Sequence, residues 1–137
     1  GEYFVAGELS RRGHISSITL RNTKGVDILV SNKEATKQVG IQVKTNQNNK
    51  REWVLNEKAE NYFAENLFYV FVNLRGENER PEYFIVPSMV VADHTKKSHT
   101  IWMETPGKMG QVHNHSSIRI FRDREGEFLE KWGILDL

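Results

Sequence analysis

The stretch over residues 25–45 constrains this chain most. It reads Gly-Val-Asp-Ile-Leu-Val-Ser-Asn, a short polar link, then Gly-Ile-Gln-Val-Lys-Thr. Two apolar runs rich in β-branched residues around a turn-like segment predict a pair of strands. Each run carries polar side chains where a buried strand has no use for them. Asp27 interrupts Val26 and Ile28, and Gln42 and Lys44 bracket Val43. The i, i+2 spacing points Gln42 and Lys44 to one face. Burying an unpaired charge is costly, so Asp27 and Lys44 are expected to meet each other, a metal or a ligand. An acid, an amide oxygen and an amine on one spot suit a divalent cation and a phosphate.

The surrounding chain reads as an alternation of helices and strands. Residues 2–12 form an amphipathic helix closed by Gly13, with Val5, Ala6 and Leu9 at i+3, i+4 and i+7 from Glu2. Glu2 is either an inward-facing acid or a solvated first-turn residue whose charge suits the helix dipole. Residues 14–20, 26–30 and 37–44 are expected as three strands of an antiparallel meander. Residues 45–51 lack any apolar side chain and read as a loop. Asn56 is expected to cap a helix over residues 57–65, with Ala59, Tyr62 and Phe63 inward. The continuous apolar run 67–74 marks a strand covered on both faces, and the crossover makes it parallel to the third strand. Residues 83–86 predict an antiparallel neighbour, and Pro87 opens a helix through Val90, Val91 and Ala92. A short strand over 118–121 and a terminal helix over 128–135 complete a single domain spanning residues 1–137.

Asp27 followed by Gln42-Val43-Lys44 resembles the signature of the PD-(D/E)XK nuclease superfamily. Val26 stands where Pro is usual, and Gln42 where Asp or Glu is usual. A Gln-x-Lys variant is known in that superfamily, including Mrr-like restriction enzymes. Glu2, with Leu9 seven residues on and Gly13 eleven residues on, is similar to the metal-site Glu of archaeal Holliday-junction resolvases. Trp53, the run Tyr-Val-Phe-Val-Asn from Tyr69 and Phe-Ile-Val-Pro from Phe84 look similar to small uncharacterised bacterial relatives of these nucleases.

The resemblance covers residues 2–74. It implies an α/β, restriction-endonuclease-like α-β-β-β-α-β core with a central mixed sheet flanked by helices. It also implies a metal-dependent DNA endonuclease that uses Mg²⁺ or Mn²⁺. Asp27, Gln42 and Glu2 would then be metal ligands, and Lys44 would orient the attacking water or stabilise charge on the phosphate.

Net charge is +1, from 19 Lys and Arg against 18 Asp and Glu, which is not the balance of a protein that coats nucleic acid. DNA binding would rest on a local patch, on a metal, or on a homodimer that pools two patches. Lys50 and Arg51 are candidates for phosphates, and Asn46 and Asn48 for bases, with Arg11, Arg12, Arg21 and Lys24 in a second basic patch; the alternative for both groups is a solvated loop or face. The absence of Cys excludes disulfides and thiolate metal sites. No apolar run is long enough to span a membrane, and no leader is read at Gly1, so a cytoplasmic location is the expectation.

The string His113-Asn114-His115 is not an HNH nuclease motif, whose residues are spread over a ββα unit. His94, His99, His113 and His115 match no familiar zinc spacing and are expected at the surface, with His99 packing on Trp102. Two rival readings remain open. One is a nuclease-fold module without chemistry that binds nucleic acid or a protein. The other is an interaction domain in which Asp27 and Lys44 form a buried ion pair.

Overall fold

The computed structural model describes residues 1–20 and 25–137. The chain begins with helix α1 (Glu2–Arg11), then strands β1 (Ile15–Ile18), β2 (Ile28–Ser31) and β3 (Gln38–Asn46). After β4 (Glu52–Asn56) and a 3₁₀ helix (Glu57–Asn61) come β5 (Leu67–Asn73), β6 (Glu82–Pro87) and α2 (Ser88–Glu104). Strand β7 (Ile118–Arg122) and a second 3₁₀ helix (Trp132–Leu135) end it. The fold is mixed α/β around a five-stranded sheet of order β1-β2-β3-β5-β6, with β4 and β7 paired as a separate ribbon.

The sheet is mixed because of its connections. β1, β2 and β3 pair antiparallel, as short links between them require. β3 and β5 run parallel, with the whole of β4 and the first 3₁₀ helix in their crossover. β6 returns antiparallel on β5. β5 is central, and six of its seven residues are buried, which is why its sequence is a continuous apolar run.

The two faces of this sheet hold two cores. On the first face, α1 lays Val5 and Leu9 over Ile28, Val30, Ile41, Val70 and Val72, and Leu135 closes that layer. On the second face, the β4–β7 ribbon and α2 bring Trp53, Phe121 and Val91 onto Tyr69, Phe71, Phe84 and Val86. Phe71 and Phe121 stack with centroids 4.5 Å apart, and the indole of Trp53 donates to the Val72 carbonyl at 3.0 Å. That bond satisfies the indole N–H, the usual condition for burying tryptophan.

Several expectations need correction. The helix expected over residues 57–65 is absent: β4 precedes a 3₁₀ turn in which only Ala59 is buried. Asn56 does cap it, accepting from the Lys58 amide at 3.1 Å. The loop expected from Thr45 begins later, because β3 continues through Asn46. Pro87 is the last residue of β6 and precedes α2, which runs on to Glu104. The terminal helix expected over 128–135 shrinks to its last turn. Its earlier backbone is hydrogen-bonded to β6 instead: the Ile85 amide donates to Phe128 O and the Glu130 amide to Tyr83 O. Glu130 also takes a φ of 56°, which no helix accommodates. Among the described residues, no helix is long and apolar enough to cross a membrane.

Candidate functional site at the β2–β3 bulge

Asp27 lies just ahead of β2, at an irregularity in its pairing. Ile28 is the register partner of Ile41, yet the Asp27 amide also donates to the Ile41 carbonyl, at 2.8 Å. Two residues facing one is the pattern of a β-bulge, which re-aims side chains. The re-aimed Asp27 carboxylate reaches across to β3, where its Oδ2 accepts from the Val43 amide at 2.7 Å. A carboxylate thus takes the place a strand carbonyl would fill. A hydrogen bond to a charged acceptor contributes about 1.5–3 kcal/mol.

The turn into this bulge depends on Gly25 and Tyr62. Gly25 has φ of 72°, and a Cβ there would collide with the Tyr62 ring. The Tyr62 hydroxyl donates to the Gly25 carbonyl. Burial pushes the Tyr62 phenol above its ordinary pKa, and the negative charge of Asp27 pushes the same way. Tyr62 therefore anchors the turn two residues ahead of the carboxylate. It was invisible to sequence reasoning, which placed it on the inner face of a helix that does not form.

Gln42 and Lys44 alternate with the buried Ile41 and Val43 on β3 and are both partly exposed. Their register partners on β5 are Tyr69 and Phe71, so both side chains stand on the second face. Among the described residues the Lys44 amine has no carboxylate within ion-pair distance, and Asp27 is not its partner. The buried Asp27–Lys44 ion pair of the interaction-domain reading is therefore not formed.

Glu2 opens α1, the helix on the first face, and is exposed. Gly1 before it touches Thr45, the residue after Lys44. The structure thus sets Asp27, just ahead of β2, against the Val43 amide of β3, the residue between Gln42 and Lys44. It sets Glu2 at the same end of β3, on the helix that covers the opposite face.

The expected nucleic-acid contacts divide. Asn46 donates through Nδ2 to the carbonyls of Lys50 and Glu52, both at 2.7 Å, and Asn48 Oδ1 accepts from the Lys50 amide at 3.0 Å. These amides shape the β3–β4 loop. Arg51 pairs with Glu82 at 2.7 Å, while Lys50 is exposed. Arg21 and Lys24 lie outside the described residues.

The histidines stay apart from this site. His113 stacks on Trp102 with centroids 4.0 Å apart, and His115 lies 3.3 Å from Glu57. His99 packs near Trp102 at 5.8 Å. Burial, and then the charge of Arg119, holds the His99 imidazole below its ordinary pKa. Among the described residues no three His, Asp or Glu side chains gather as a metal-holding group.

Comparison with protein-family models, with curated proteins and with solved structures finds no match for this chain.

Proposed function

We propose that the chain is a restriction-endonuclease-like domain that hydrolyses phosphodiester bonds in DNA with Mg²⁺ or Mn²⁺. The observation that carries this reading is the bulge, which turns the Asp27 carboxylate onto the Val43 amide of β3, between Gln42 and Lys44 in sequence, where the Lys44 amine has no ion pair among the described residues. A helix followed by three antiparallel strands and a parallel fourth supports the α-β-β-β-α-β core. The departure is the crossover, where β4 and a 3₁₀ turn stand in place of a helix.

The donor set fits a hard divalent ion held weakly. Asp27 has one oxygen on the Val43 amide, and its Oδ1 has no protein partner among the described residues. Gln42 adds a neutral amide oxygen. Asp27 and Gln42 would hold the ion, and the rest of an oxygen shell would come from water and phosphate; Glu2, on the helix that covers the other face of the sheet, is left out of this donor set. When bound, the ion polarises the phosphate and lowers the pKa of a bound water.

The chain's own groups do the positioning. The Val43 amide fixes the Asp27 carboxylate, so that only one oxygen is free to turn outward. Lys44 has no intramolecular carboxylate to satisfy, and its ammonium is available to the extra negative charge on phosphorus in the transition state. Tyr62 holds the Gly25 turn through its hydroxyl, which donates to the Gly25 carbonyl.

One observation favours the alternative, a nuclease-fold module that binds nucleic acid or a protein without cutting. Gln42 supplies no charge where a second acid would strengthen a metal site. Incubating the purified chain with labelled duplex DNA in Mn²⁺, in Mg²⁺ and in chelator separates the two. Metal-dependent cleavage that Lys44→Ala abolishes is the expected result. Intact DNA under every condition, with binding retained, selects the module.

A further inference from the structure

The polar row on the second sheet face continues past Lys44. Asn46 follows it at the same period of two, and the parallel register sets Asn46 opposite Asn73. Beyond them, where β3 and β5 end, lies a cleft of about 570 Å³ lined by Lys50, Arg51, Asn73, Arg75, Glu82 and Arg124 among others. The carboxyl ends of parallel strands are where open α/β sheets hold ligands.

The floor of this cleft lacks donors. Asn73 is 1% exposed, and its Nδ2 donates to Glu82 Oε1 at 3.0 Å. A carboxylate only accepts, so the amide cannot be turned round, and Asn73 Oδ1 is left buried without a partner. Asn46, outside the lining of the cleft, is fixed in the same way by the Lys50 and Glu52 carbonyls and holds the loop that carries Lys50. Buried acceptors of this kind are normally satisfied, by ordered water if by nothing else.

The mouth of the cleft lacks anions. Glu82 is neutralised by Arg51 at 2.7 Å, and Glu52 by Arg122 at 3.2 Å. Burial opposes the charge on Glu82, but hydrogen bonds from Arg51 and Asn73 outweigh it and hold the carboxyl below its ordinary pKa. Among the described residues the side chains of Lys50 and Arg124 have no carboxylate partner. Arg75 has only the exposed rim carboxylate of Glu79, at 3.4 Å. Cations are in surplus on one side of a polar cleft that continues the row Gln42, Lys44, Asn46.

We infer that this cleft is a phosphate subsite for the DNA strand that passes over Lys44. Lys50, Arg124 and Arg75 hold a backbone phosphate next to the reacting one, above the buried amide of Asn73. This inference rests on the proposed DNA substrate and not on cleavage. It adds Arg75, Arg124 and Asn73, none of which stands near the motif in sequence.

Binding rather than cutting tests it. The full chain carrying Lys44→Ala is titrated with labelled duplexes of unrelated sequence over a salt series, followed by fluorescence anisotropy. Each phosphate contact contributes about 0.9 to the slope of log K against log salt on duplex DNA. Lys50→Gln and Arg124→Gln are each expected to flatten the slope by about that amount, and the double variant by about twice as much. The loss should be the same for every sequence, and Lys33→Gln, on the exposed β2–β3 link, should leave the slope unchanged.

A double variant that folds, binds, and keeps the parental slope overturns the subsite, as does a parent chain with no affinity for DNA. A wild-type chain that fails to cut in Mn²⁺, while the slopes change as stated, sinks the nuclease reading and leaves the subsite standing.

Discussion

Asp27 Oδ2 accepts the Val43 amide proton at 2.7 Å, so an acid outside β2 completes the hydrogen bonding of a residue in the middle of β3. One side chain therefore has two roles. It closes the sheet where the bulge interrupts it, and it sets a carboxylate against the Val43 amide, one residue from Gln42 and one from Lys44 along β3. The two roles separate under substitution, because the backbone amide needs only an acceptor, whereas a cation needs charge.

Asp27→Ala leaves the buried Val43 amide without a partner and should cost about 1–3 kcal/mol of stability. Asp27→Asn keeps an acceptor and should cost less. Both should lose metal-dependent cleavage. Urea melts and a cleavage assay on the same preparations check this, and an Asn variant as unstable as the Ala variant would contradict the hydrogen-bond account.

Lys44→Ala should abolish cleavage and leave Tm close to wild type, since the amine is partly exposed and has no intramolecular ion pair to lose. A purified Lys44→Ala protein that cuts at the wild-type rate removes Lys44 from the mechanism. One that cuts slowly and melts far below wild type shows a packing residue instead.

Gly25→Ala should destabilise the chain by more than the roughly 1–2 kcal/mol cost of a left-handed residue, because the added methyl also strikes the Tyr62 ring. The turn leads straight to Asp27, so activity should fall with it. The paired variant Gly25→Ala with Tyr62→Ala relieves the collision and not the φ penalty. It should recover part of the loss that Gly25→Ala alone incurs relative to Tyr62→Ala, as a double-mutant cycle of melts would show.

The parts of this arrangement legible in the sequence were those carried by local period. Gln42 and Lys44 could be placed on one face because strand alternation is strict, and the burial of β5 followed from its unbroken apolar run. Long-range pairing hid the rest. Glu52–Asn56 alternates buried and exposed side chains, but its partner is Ile118–Arg122. A two-stranded ribbon is stable only once it packs on the sheet. The pattern read as a helix over 57–65 depended on Tyr62 and Phe63. Tyr62 turns to Gly25 instead, and Phe63 is exposed. Asn73 lies inside the run 67–74 and gave no sign of facing Asn46, since that follows only from parallel register. Glu2 matched a stripe on α1, and its helix lies across the sheet from the face of Lys44.

The Arg51–Glu82 pair should set an acid limb. The Glu82 carboxyl is held below its ordinary value of 4.5, so its contribution is complete above that value and is lost as pH falls through the lower folded pKa. Wild type should lose stability over that window, and Glu82→Gln should lose less. Urea melts on either side of 4.5 measure it. Equal acid sensitivity in the two proteins would mean that Arg51 contributes nothing through this bond.

The last test concerns Gln42→Glu. On β3, residue 42 adjoins Val43, whose amide holds Asp27, so a carboxylate there brings a second negative charge near the first. Without metal the like charges oppose each other, and the variant in chelator should be less stable. A cost of about 1 kcal/mol would appear as roughly 3–5 °C of Tm in a domain of this size. With Mn²⁺ present the sign reverses. The added charge tightens a site that otherwise has one acid and one neutral oxygen, and a ligand that binds only the folded state raises Tm with the logarithm of its concentration over Kd. The variant should therefore gain more Tm from Mn²⁺ than wild type does, and should reach half-maximal effect at a lower concentration. A binding module without a metal site predicts no such reversal, because its Tm would not respond to Mn²⁺ in either protein. Melts of both proteins in chelator and across a Mn²⁺ series decide between them. If neither protein responds, Asp27 is a structural acid and the metal-dependent reading fails.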